Sequence, residues 1–190
     1  MSTLETTGTL TFEDFLDFPD DGYRHQLVAG VHFVGAAPGL PHQEVVAHVL
    51  ARLFQSIREP GLGRVLCSPV ALKLSDEDGV EPDVVVLMDS TGTPRRDRYI
   101  DGPPDLVVEV LSKSTRRLDL TLKRDRYARF GVGEYWVIDL AKPALLQFVR
   151  ATDAEFATPV EHTERVAHAR HPEIALDLGP VWQAARDAVS

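Results

Sequence analysis

The sequence predicts a mixed α/β fold of the α+β kind: a mixed β-sheet core flanked by helices, with a hairpin near the N-terminus. Three observations lead there. Residues 83–88 (DVVVLM) and 105–111 (DLVVEVL) are short, almost wholly apolar runs, the pattern of strands buried on both faces. Val45, Val46, Val49, Leu50, Leu53, Phe54 and Ile57 recur at helical spacing, which makes 41–58 an amphipathic helix. A second helical stretch, 115–130, separates the run at 105–111 from another at 134–139 (EYWVID), and that order gives one mixed sheet with a helix on each side.

Taken in order, residues 11–20 (TFEDFLDFPD) read as a short helix stopped at Pro19. Extended stretches 23–28 and 31–34 follow, joined through Ala29-Gly30, where Gly supplies the positive φ of a tight hairpin turn. The loop GAAPGLP ends at Pro41, a residue favoured in the first turn of the helix that follows. Gly61 and Gly63 close that helix, and 64–74 alternates as a strand, with Leu66, Val70, Leu72 and Leu74 on one side. Gly131 suits a left-handed cap after the second long helix. Residues 145–150 form the hairpin partner of 134–139, and a short helix at 181–188 ends the chain.

At 190 residues the chain suits one domain, read as 1–190 with its core at about 23–182. Its 44% hydrophobic and 26% charged residues match a globular protein, and no apolar run approaches bilayer-spanning length, so no membrane association is expected. Residues 1–8 lack the basic and apolar regions of a secretory leader. The single Cys67 has no intrachain partner, and its place between Leu66 and Pro69 reads as packing; a cytoplasmic protein is expected. The net charge of -9 argues against a nucleic-acid partner, but its distribution argues back. Residues 95–129 hold ten of the twenty Lys and Arg and only six acids, so this segment is +4 and the rest of the chain -13. Such a segment is either a phosphate-facing surface or a solvated helix face.

Two carboxylates stand out within this frame. Asp83 opens one apolar run and Glu109 interrupts the other between valines. A carboxylate in such a place costs several kcal/mol unless a cation, a proton or a basic side chain compensates it. For Asp83 a turn hydrogen bond is the plain alternative; for Glu109 a partner is needed. Two acids converging from adjacent strands are what a hard divalent cation takes from a protein.

The order Glu81-Pro82-Asp83, then 104–112 (PDLVVEVLS), then Lys123 with Tyr127, Gly131-Val132, Glu134-Tyr135-Trp136 and Asp139 resembles the Uma-two family of endonuclease-like proteins. Tyr23-Arg24, Ala37-Pro38-Gly39 and His42 fit the same pattern. The resemblance implies a restriction-endonuclease-like fold of the PD-(D/E)XK superfamily and a hydrolase that cuts DNA with Mg²⁺ (or Mn²⁺). Carried over by residue, it makes Asp83 and Glu109 metal ligands, with the Val110 carbonyl as a third. The superfamily places a Lys two residues after the acid; here that residue is Leu111, so the role passes to Lys123 on the following helix, with Lys113 as its rival. His42 becomes a phosphate-side or supporting group, and Tyr127 and Asp119 support Lys123. Lys113, Arg116, Arg117 and Arg124 are the expected nucleic-acid contacts. DNA is the expected partner, and a second copy of the chain a further one.

One departure bears on activity. Where the family carries Glu in its first hairpin, this chain has Gln26, and where it carries Asp-Gly at the turn, Ala29-Gly30. Two carboxylates then remain for the metal. The alternative to an active enzyme is a weak or inactive nuclease-fold module that binds nucleic acid or dimerises.

Overall fold

The computed structural model describes residues 9–189, together with the backbone of Ser2–Thr3. In chain order the elements are β1 (Ser2–Thr3), α1 (Phe12–Leu16), β2 (Arg24–Val28), β3 (Val31–Gly35) and α2 (Leu40–Leu53), which runs into a π-helical turn, Phe54–Arg58. Strands β4 (Gly63–Cys67), β5 (Ala71–Ser75), β6 (Asp78–Val80), β7 (Val84–Met88), β8 (Tyr99–Asp101) and β9 (Leu106–Val110) follow. Next come α3 (Arg116–Leu118), a π-helical turn at Asp119–Lys123, and α4 (Arg124–Arg129) as one continuous helical segment. The remainder is β10 (Glu134–Asp139), β11 (Ala144–Val149), β12 (Val160–His162), β13 (Arg165–Ala167), β14 (Ala175–Asp177) and α5 (Leu178–Asp187).

The apolar runs build the central sheet, whose strand order is β12-β11-β10-β9-β7-β4. Only β9 and β10 pair in parallel, joined by the helical segment as their crossover. Because side chains alternate along a strand, each run feeds two cores. Val84, Val86, Val108, Val110, Trp136 and Ile138 face α2 and α5. Val85, Leu87, Val107, Tyr135 and Val137 face the other way, toward Tyr127 and a second sheet. Burying each such aliphatic side chain is worth about 1.5–3 kcal/mol, and it fixes the register, since a one-residue slip would exchange the faces.

The second sheet departs from the expected single sheet. It orders β1-β3-β2-β6-β5-β8 and closes the face that Val85 and Val107 present. Residues 64–74, expected as one strand, divide between the two sheets as β4 and β5. Pro69 falls at the division, where the lack of an amide N–H interrupts the ladder. The first helix is also shorter than expected, held at Thr11 by a capping box with Asp14 and ended before Pro19. The final helix starts earlier, at Leu178.

The hairpin turn is as expected in kind, with Ala29 and Gly30 both at positive φ (53° and 72°), the pair a type I′ turn requires. Its position is secured by Asp78, which is fully buried. That carboxylate accepts from the Ala29 N–H at 2.9 Å and from Ser75, and is forked by Arg126 of α4. The hairpin is thereby tied to the helical segment, and this sets β2 against the end of the central sheet.

Candidate active site

Strands β7 and β9 pair antiparallel with Val84 opposite Val108. Continuing that register one step sets Asp83 opposite Glu109, and both lie on the face of Val85 and Val107. Like charges directly opposite destabilise a sheet, and both residues are 2% exposed. Their compensation comes from three other elements.

Asp83 is held on all sides. Its Oδ1 accepts from Arg24 Nη1 at 2.8 Å, and Arg24 is further anchored to the Glu81 carbonyl. Its Oδ2 lies 3.0 Å from His42 Nε2 and accepts from the Val110 N–H at 2.8 Å. Glu109 meets the helical segment instead. Its Oε1 accepts from Lys123 Nζ and from the Tyr127 hydroxyl at 3.1 Å. Lys123, 1% exposed, also reaches Asp119 Oδ1 at 3.1 Å. Asp119, Lys123 and Tyr127 recur every four residues, so they share one face of the helix. The π-helical turn between Asp119 and Lys123 is where that face meets the sheet.

Three buried carboxylates thus face the fixed cations Arg24 and Lys123. The two paired acids respond in opposite ways. Burial raises the Asp83 pKa, but the His42 hydrogen bond and the Arg24 charge outweigh it and hold the group at about 2. Burial pushes Glu109 up to about 7; Lys123 opposes this, while Asp119 and Asp83 reinforce it. Lys123 itself is raised, because Asp119 and Glu109 outweigh its own burial. Perturbed carboxyls of this kind beside a cleft are a recurrent feature of functional sites.

Asp83, Arg24 and His42 line a cleft of about 580 Å³, while Glu109 and Lys123 are buried and do not line it. His42 also borders a second groove, of about 690 Å³, on the far side of the α2 N-terminus. Gln26 is buried on β2, on the strand face it shares with Arg24, and its Oε1 has no hydrogen-bond partner. Val110 meets the pair through its N–H. Among the described residues, no three His, Cys, Asp or Glu side chains gather as a metal-binding cluster.

The structure therefore brings together Asp83, Glu109, Lys123, His42, Val110, Tyr127 and Asp119. The expected nucleic-acid contacts lie outside the buried cluster, with Lys113 and Arg116 on the second groove beside His42. Lys113 and Arg117 are exposed, Arg116 pairs with Asp139 at 2.8 Å, and Arg124 forks Asp125. Lys113 follows the end of β9 on a turn, so it does not share the Glu109 face. Arg126, inside the same basic segment, is committed to Asp78 and is no part of a basic surface. Sequence reasoning passed over Arg24 as a partner of Asp83. Its signal was present: an Arg two residues before Gln26 in a strand otherwise buried from His25 to Val28.

The mixed-sheet α+β fold is a nuclease-like one. The family model Uma2, described as "Putative restriction endonuclease", matches residues 12–178, and the chain belongs to this family. The fold is shared with a crystal structure described as a "putative nuclease belonging to DUF820" from Anabaena variabilis. That match has a TM-score of 0.77 at 16% identity and covers 93% of this chain and 99% of the other. No curated protein matches the chain. Among the described residues no helix is long and apolar enough to cross a membrane.

Proposed function

We propose that the chain is a Mg²⁺-dependent endonuclease of the PD-(D/E)XK kind, hydrolysing DNA phosphodiester bonds with water as the nucleophile. The observation that carries this reading is the pairing of Asp83 and Glu109 across neighbouring strands, with Lys123 on the pair and a cleft at Asp83. The donor chemistry fits Mg²⁺ or Mn²⁺: such ions take one or two protein carboxylates and complete their shell with water and substrate phosphate. Asp83 and Glu109 would hold the ion, with the Val110 carbonyl beside them and the unpartnered amide oxygen of Gln26 as a further hard donor. When bound, such an ion neutralises phosphate charge and makes water acidic enough to attack near neutral pH.

The chain's own residues do the rest. Lys123 places a positive charge beside Glu109 and favours its ionised form. Arg24 orients Asp83 and would bring its guanidinium charge to a phosphate in the cleft it lines. His42 fixes the second oxygen of Asp83. Lys113 and Arg117 supply charge for the flanking backbone.

One observation favours a second reading, a nucleic-acid-binding module without turnover: Asp83 is already saturated by Arg24, His42 and Val110. A plasmid-nicking assay with Mg²⁺ or Mn²⁺ separates the two. Nicking by the parent that disappears in Asp83→Asn and Lys123→Met supports the enzyme; retention of DNA without nicking supports the module.

A further inference from the structure

We propose that the substrate strand enters this site single-stranded, with its backbone phosphate at the α2 N-terminus and an unstacked base in the aromatic cleft beside Asp83. The proposal rests on the nuclease reading and adds the form of nucleic acid the site takes.

The two grooves meet at His42 and differ in chemistry. The first presents Phe18, Tyr23 and His25, with Tyr23 58% exposed at its edge. It also carries Asp20, Glu81 and Asp83 facing Arg24 and Arg98, so its charges are mixed and its distinguishing feature is the ring edge. Aromatic faces stack on any base, which makes such a surface tolerant of sequence. The second groove presents Lys113, Ser112 and the Arg116–Asp139 ion pair around Gly39 and Pro41 at the start of α2, so Lys113 carries its net positive charge. Gly39 provides no side-chain cap to that helix, leaving the first-turn N–H groups to an anion. His42 lies in the same turn, 6% exposed, with its Nε2 on Asp83 and its Nδ1 without a partner. A buried ring nitrogen left unpaired is costly, and here it borders both grooves. Phosphate on one side and base on the other place the backbone of one nucleotide across His42 and Asp83.

Duplex DNA does not meet these conditions. Asp83 is 2% exposed, and the cleft that reaches it, about 580 Å³, is in the size range of small-molecule sites. A base has to leave its stack to enter, which costs least when the strand is already single.

The test uses the full chain in EDTA, so that no strand is cut. Fluorescence anisotropy compares a short labelled single-stranded DNA with the same sequence as a blunt duplex, for the parent, Tyr23→Ala, Tyr23→Phe and Lys113→Gln. The single strand should bind about tenfold or more tightly than the duplex. Tyr23→Ala should lose about tenfold on the single strand alone. Tyr23→Phe, which keeps the ring, should bind like the parent, and Lys113→Gln should weaken binding and flatten its salt dependence. Duplex binding equal to or tighter than single-strand binding overturns the proposal, as does Tyr23→Ala binding like the parent. Mg²⁺-dependent plasmid nicking, run alongside, shows whether the nuclease reading survives that failure. Binding of neither form, with no nicking, sinks both.

Discussion

Replacing Glu109 by Gln should abolish hydrolysis and make the protein more stable at neutral and alkaline pH. The carboxyl is buried opposite Asp83 and beside Asp119, and its pKa stands at about 7 against an ordinary value of 4.5. At about 1.4 kcal/mol per pH unit, ionised Glu109 costs the fold about 3 kcal/mol. The direction follows from proton binding. Between 4.5 and about 7 the folded chain keeps a proton that the unfolded chain has released, so parent stability falls as pH rises through that window. Glutamine copies the neutral form and keeps a carbonyl for Lys123 and Tyr127, so it escapes the fall. Urea unfolding of both proteins in the presence of a chelator, at several pH values, measures the difference. The stability gap should be near zero at about pH 4.5 and reach about 3 kcal/mol in the variant's favour by about pH 8. A gap that stays constant within about 1 kcal/mol across this range would mean that burial does not control Glu109, and the electrostatic account would be wrong.

Asp83 behaves oppositely. Held at about 2 against an ordinary 3.8, it contributes about 2 kcal/mol that is present above 3.8 and lost as pH falls through 2; acid unfolding of Asp83→Asn should lack that limb. Arg126→Met leaves the fully buried Asp78 without its cation and should cost about 3–5 kcal/mol in urea unfolding; a loss below about 1 kcal/mol would show that the Ala29 and Ser75 bonds suffice. Gln26→Glu adds a carboxylate beside the cluster, so it should lower stability without metal, tighten Mg²⁺ binding in calorimetry and raise nicking, with no gain in an Asp83→Asn background. Unchanged metal affinity in an intact fold would remove position 26 from the site. Neutralising Lys113 and Arg117 together should reduce the salt dependence of DNA binding by about two ions; an unaltered slope would leave these side chains as solvated surface.

The central strands were legible because burial on both faces leaves an unbroken apolar run, as in 84–88 and 135–138, and the helices because α2 keeps a regular apolar stripe. The acids were legible for the same reason: Glu109 is conspicuous only where every neighbour is apolar. The second sheet was legible only in its β2-β3 hairpin. Its strands are short, three of them three residues or fewer, and their polar residues are satisfied by distant partners such as Asp78 and Arg126. Residues 64–74 alternate smoothly enough to read as one strand, and only the pairing of β4 with β7 and β5 with β6 shows the division. The count of basic residues in 95–129 overstates the charge left free there. Lys123 and Arg126 belong to the interior, and Arg116 and Arg124 already have carboxylate partners. Composition registers charge without registering which charges are spent.

The members of the site come from five places in the chain: Arg24 from β2, His42 from α2, Asp83 from just ahead of β7, Glu109 from β9, and Asp119 with Lys123 from the crossover helix. None is tolerable alone at this depth, since an uncompensated buried charge costs several kcal/mol. The cluster is therefore complete only when the hairpin, the long helix and the crossover have all docked on the central sheet. Apolar residues of similar volume would serve stability as well or better, so packing does not explain why three carboxylates are kept there. Arg24 makes the point most directly. Its guanidinium satisfies Asp83 from a strand of the second sheet, and the same strand is held to the crossover helix through Ala29, Asp78 and Arg126. A change in how that hairpin docks would move Arg24 and release one oxygen of Asp83 toward the cleft, so under the proposed metal role of Asp83, affinity and hairpin docking would be coupled through a single ion pair. Weakening the hairpin's anchor with Ser75→Ala should then alter Mn²⁺ affinity although Ser75 touches only Asp78 and its own turn. Identical affinity with an intact fold would show that Arg24 and Asp83 are set by local contacts alone.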